Sequence, residues 1–72
     1  MMITVQDLDC LYLTAFHAVE QAKAGRREEG EALLRDGGAD ALRDRPDPGD
    51  LERLWTWTLN SFREQFPAGV RK

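Results

Sequence analysis

Leu51, Leu54, Trp55, Thr58, Leu59, Phe62 and Phe66 recur at the three-and-four spacing that brings residues onto one face of an α-helix. No strand could hold them on one side. Asp47 fits a helix cap, Pro48 the first helical position and Asp50 the third, while Pro67 and Gly69 end the run. The pattern predicts a helix over about 48–66 whose aromatic stripe must be buried against other elements.

Another helix is predicted over about 5–24. Thr4 can cap its first turn with Asp7 at the third position, and Ile3 and Leu8 stand where a hydrophobic staple would close. At about 100° per residue, Leu8, Leu11, Tyr12, Ala15, Val19 and Ala22 share a core face with Val5 and Phe16 at its edge. Ala24-Gly25 offers the left-handed stop. Between the two long helices a weaker pattern predicts a short helix over about 26–36. In it, Leu33 and Leu34 share a face with Gly30, which lets another backbone come close. Gly37-Gly38 is expected to stop this helix and open a loop over 37–47, with one further turn through Leu42 possible. The tail, 67–72, with Val70, Arg71 and Lys72 at its end, is expected to be loose. No segment alternates with period two.

The expected fold is therefore all-α: one domain over 1–72, a small three-helix bundle or helical hairpin with a short middle helix. The long first and third helices should pack antiparallel, with the middle helix covering one side. A core of 72 residues rarely supplies more than about 3–5 kcal/mol, so a staple is expected. Cys10, the only cysteine, has no disulfide partner in the chain, and one cysteine with one histidine makes a poor metal site. Neither metal nor cofactor is expected, which leaves self-association or a partner protein.

Chemistry is sparse. Cys10 and His17 share a side of the first helix but stand two turns apart, about 10 Å of rise, too far for a nucleophile and its base. The carboxylate pairs Asp7/Asp9, Glu28/Glu29 and Asp47/Asp50 read as caps and solvated faces. Gly37-Gly38 lacks the Lys-Ser/Thr of a phosphate loop. No enzyme activity and no small-molecule substrate are expected. The longest uncharged stretch, Cys10 to Val19, is too short to cross a bilayer, and the acidic start is unlike a signal peptide, so a cytoplasmic protein is expected.

Nucleic acid is the competing partner. Arg26, Arg27, Arg35, Arg43, Arg45 and Arg53 could serve a nucleic-acid-associated transcriptional regulator if they gathered on one face. Acids interleave with them, however, and the formal charge of the chain is −3.

Two groups of residues fit a plain monomer poorly. Trp57 falls on the side of the helical wheel away from Trp55 and Phe62, beside Arg53, Asn60 and Ser61. Cys10, Leu13 and His17 form an apolar strip away from the core face of the first helix. These seven are the candidate interaction residues, for another protein or a second copy of the chain in a homodimer. The alternative is that the middle segment covers them. The expected function is a non-catalytic interaction module, an inhibitor, anti-activator or adaptor of the size often encoded by bacteria, phages or mobile elements, that occludes a partner's surface.

Two local resemblances accompany this reading. Ala24-Gly25-Arg26-Arg27-Glu28-Glu29, followed by Ala32-Leu33-Leu34, resembles the turn and second-helix start of a tetratricopeptide repeat. A lone unit cannot build that solenoid, so the resemblance implies a helical hairpin and nothing about partners. Thr58-Leu59-Asn60 running to Pro67 is similar to the last helix of the small Hha-type nucleoid modulators, and the rest of the chain departs from them.

Overall fold

The computed structural model describes residues 3–68, which form three helices and no strand: α1 over Val5–Lys23, α2 over Arg27–Leu42 and α3 over Gly49–Gln65. Gly69 and the expected loose tail of Val70, Arg71 and Lys72 lie outside the described residues.

Local chemistry accounts for the ends of α1. Thr4 Oγ1 accepts the Asp7 N–H at 3.1 Å, and the Asp7 carboxylate accepts the Thr4 N–H at 3.0 Å, satisfying two otherwise orphaned donors reciprocally. The Thr4 N–H and hydroxyl, with the guanidinium of Arg45 in the segment that follows α2, hold the Asp7 carboxyl below the usual carboxylate range. At the other end Gly25 takes φ +90°. There the Arg26 N–H donates to the Gln21 carbonyl at 2.8 Å and the Gly25 N–H to the Ala22 carbonyl at 3.1 Å, the paired bonds of a Schellman motif. Three linking residues then suffice to fold α2 back along α1.

The middle helix differs from expectation. It does not stop at Gly37-Gly38 but runs 16 residues to Leu42, so most of the expected loop 37–47 is helix. Neither glycine has positive φ. Their work is spatial: a Cβ on Gly37 would stand 3.0 Å from Thr14 Cγ2 and 3.2 Å from Trp55 Cη2, and one on Gly38 would stand 3.3 Å from Trp55 Cε3. The pair is a flat place in the helix where the Trp55 indole lies. Their cost in helix propensity, about 1 kcal/mol each, is offset by burying that ring.

The start of α3 differs as well. Asp47 makes no capping bond; the cap residue is Pro48 and the first helical residue Gly49. Gly49 turns the chain at φ +45°, and the Pro48 carbonyl accepts the Leu51 N–H at 2.9 Å as the first bond of the helix.

The helices pack in an order the hydrophobic pattern did not give. Instead of α1 and α3 lying antiparallel under a short cover, α2 is the central helix. The other two flank it, parallel to one another and nearly out of mutual contact. The reason is the width of the residues along the seams. α1 meets α2 through Ala18 and its neighbours Leu11, Ala15 and Ala22, and α2 answers with Gly30, whose absent Cβ would fall 2.5 Å from the Ala18 carbonyl oxygen and 3.0 Å from Phe62 Cζ. The core is accordingly small: Ala18, Leu34, Leu51, Trp55 and Phe62.

Charge closes the two ends. At the start of α2, Glu31 sits between Arg27 and Arg63, which donates from Nε at 2.8 Å, and these two arginines hold its carboxyl below the usual range. Arg27 also donates from Nε to the Phe66 carbonyl at 2.7 Å, satisfying an end of α3, and its guanidinium lies 5.7 Å from the centre of the Phe62 ring.

One consequence of the narrow α1–α2 seam is a correction to the expected core face of α1. Leu8 and Tyr12, with Val5 and Phe16 at the edge, are exposed rather than buried. The approach of α2 is centred on the small residues, which leaves the bulky ones turned past it.

Candidate interaction surface

Because α1 and α3 each rest on α2 and hardly on one another, a groove runs between them. Its wider part, about 340 Å³, is lined by Leu8, Leu11, Tyr12 and Ala15 of α1 and by Trp57 and Thr58 of α3. A narrower continuation of about 110 Å³ passes Val19, Ser61 and Phe62 and reaches Leu34 of α2 as its floor. Ala15 of α1 and Trp57 and Thr58 of α3 belong to both parts, so they mark the same height on the two helices. Only hydroxyls and Gln65 break the apolar lining.

The rims of the groove carry the largest exposed apolar side chains among the described residues. Trp55 and Phe62 fix which side of α3 is buried, and two residues further on, about 200°, the Trp57 indole is left 67% exposed. Across the groove stand Tyr12 at 72% and Leu8 at 45%, and helical spacing continues their side of α1 through Val5 at 76% and Phe16 at 51%. Together they make one contiguous apolar patch, larger than the singly scattered apolar residues of an ordinary surface. The other side of the Trp57 ring borders a shallow polar depression with Asp47, Glu52, Arg53 and Asn60.

Of the candidate residues on α3, Trp57, Arg53 and Asn60 come together on the solvent-facing strip, and Ser61 is half-buried in the groove wall. Arg53 is held only loosely, 3.6 Å from Asp50. Cys10, Leu13 and His17 are exposed too, but none of them lines the groove; they occupy another side of α1. His17 packs edge-on to Phe16, ring centres 5.7 Å apart. The structure therefore does not unite the two groups of candidates.

Sequence reasoning missed the α1 rim. Val5, Leu8, Tyr12 and Phe16 carry a helical period, and the period says that they share a face without saying which face a neighbour takes. A signal was present in the small residues: Ala18 on α1 faces Gly30 on α2, and Gly37 meets the Thr14 methyl, and close approach at small residues displaces the contact away from the bulky ones.

Among the described residues no three His, Cys, Asp or Glu side chains converge to hold a metal ion, and no helix is long and apolar enough to cross a membrane. What the surface can do chemically is bury apolar area. No protein-family model, curated protein or solved structure matches this chain.

Proposed function

We propose that this chain is a non-catalytic helical interaction module that works by covering a surface of another protein chain, in the manner of an inhibitor, anti-activator or adaptor. The observation that carries the reading is the exposed Trp57 indole standing across an apolar groove from Tyr12 and Leu8. Tryptophan and tyrosine in such positions dominate binding energy when a partner desolvates them, and the surrounding charge sets encounter rate and specificity. The exposed free thiol of Cys10 suits a reducing, cytoplasmic setting.

Phosphate contact is the weaker reading. Arg26, Arg27, Arg43, Arg45 and Arg53 each lie beside a carboxylate of the chain itself, and such pairing dilutes the positive field a duplex would need.

The test is affinity capture from the source cell with the natural chain and with Trp57→Ala in parallel, after circular dichroism has established equal helicity. The expected outcome is a stoichiometric companion recovered by the natural chain and lost with the variant. Identical companions for both would remove Trp57 from the interaction and overturn the reading.

A further inference from the structure

The outward strip of α3 has a pattern that the groove alone does not explain. Arg53, Trp57, Asn60 and Glu64 follow one another at spacings of four, three and four, so they form one stripe along the solvent side of the helix, and all four are exposed. The stripe reads the same in reverse except for charge: its two ends are equidistant from a midpoint between Thr58 and Leu59, one cationic and the other anionic. An antiparallel copy of the stripe is therefore its complement. Arg53 of each chain meets Glu64 of the other, and Trp57 of each meets Asn60 of the other.

The rim of α1 obeys the same operation. Tyr12 and Phe16 lie symmetrically about residue 14, one residue from Ala15, which is level with Thr58 across the groove. A two-fold axis that crosses both helices near that height pairs Tyr12 of each chain with Phe16 of the other. It does so while also pairing the α3 stripes, and aromatic rings in such pairs attract beyond the area they bury.

On these grounds we infer that the occupant of the α1/α3 face is a second copy of this chain, bound face to face so that α1 lies antiparallel on α1 and α3 antiparallel on α3 of the other copy, with two Arg53–Glu64 pairs at the ends of the α3 contact. The inference rests on the docking reading of this face and names its partner.

The area agrees. Val5, Leu8, Tyr12, Phe16 and Trp57, at their observed exposures, leave on the order of 600 Å² of apolar surface on one face, taking about 150–250 Å² for each aromatic side chain. An isologous contact covers the patch on both copies, roughly 1,200 Å² before the charged ends are added, which reaches the lower bound for a specific interface. The result is a four-helix layer, α1 and α3 from each copy, with a central α2 on either outer side.

Sedimentation equilibrium of the full chain tests this, with helicity checked by circular dichroism for every variant. The natural chain is expected at twice its 8.2 kDa mass. Arg53→Glu and Glu64→Arg should each weaken the dimer by roughly tenfold or more, because each sets like charges opposite one another twice. Combining the two should restore it, because the pairs reform with their signs exchanged; Trp57→Ala should leave a helical monomer. A natural chain that stays monomeric, or a dimer whose single charge variants do not weaken it or whose double variant does not recover, overturns the inference. The docking reading is judged separately: a monomeric chain that still captures a companion through Trp57 loses only the second copy, whereas a dimer or companion indifferent to Trp57→Ala removes the face itself.

Discussion

Gly30→Ala tests the packing on which the whole surface depends. In a solvent-exposed helix interior this change stabilises by up to about 1 kcal/mol, because alanine loses less backbone entropy. Here the new Cβ would arrive 2.5 Å from the Ala18 carbonyl oxygen, which is backbone and cannot turn aside, and 3.0 Å from Phe62 Cζ. Relief requires α1 and α2 to separate by something near 1 Å, opening the seam that buries Ala18, Leu34 and Phe62. Overpacking of this kind costs about 1–3 kcal/mol or more, and loosening a core of five buried residues belongs at the upper end. Set against the propensity gain, a net loss of about 2 kcal/mol is expected. For a domain of this size that lowers Tm by roughly 8–16 °C. Thermal melts followed by circular dichroism, with urea titrations to give the free energy, would measure it. Gly38→Ala is the control, since its nearest neighbour is the Trp55 ring edge at 3.3 Å, which a small tilt of the indole accommodates, and it should change stability by less than about 1 kcal/mol. A Tm for Gly30→Ala equal to or above that of the natural chain would mean that α1 and α2 do not approach as described.

Thr4→Ala removes the reciprocal cap of α1 and should cost about 1 kcal/mol by urea titration, with Thr4→Ser close to neutral. Trp57 and Trp55 should separate by fluorescence: with Trp55→Phe the remaining Trp57 should emit to the red and quench readily in dilute solution, and with Trp57→Phe the buried Trp55 should emit to the blue and resist quenching. The reverse assignment would exchange the core and surface roles of the two rings. Acid should destabilise through Glu31 and Asp7. Both carboxyls titrate lower when folded, so their contributions are complete above the ordinary values of 4.5 and 3.8 and are lost as pH falls through those values toward the lowered ones. The measurement is urea titration at a series of pH values, and Glu31→Gln should flatten the loss of stability below pH 4.5; an unchanged slope would remove the Arg27–Glu31–Arg63 network from the account.

The three helices, their number and most of their ends were legible because they follow from short-range chemistry. The Thr4/Asp7 box, Gly25 and the Trp55/Phe62 stripe act within a turn or two of chain. The length of α2 was not legible. Gly37-Gly38 is a helix stop when nothing lies against it and a packing surface when an indole does, and only the position of Trp55, some seventeen residues away in sequence, decides between them. The site divides in the same way. That Trp57 faces away from Trp55 follows from one helix alone, whereas the exposure of Tyr12, Leu8, Val5 and Phe16 depends on which side of α1 the neighbouring helix selects.

That selection links stability to the exposed face. An α1 packed on α2 through leucines would have stood further from it, and α3 would then have had room to meet the bulky side of α1 and close the groove. With Ala18 against Gly30, the two helices are drawn too close for that, and α3, held to α2 by Trp55 and Phe62, cannot reach across. The small residues that tighten one seam thus hold the other apart, and the aromatic rim is a consequence of the same packing that stabilises the monomer. It follows that substitutions which widen the α1–α2 seam should weaken docking through the α1/α3 face along with stability, although no residue of Gly30 or Ala18 lies in the groove lining. Coupling of this kind is the signature of a surface built by helix placement, and a surface made of independently exposed side chains would not show it.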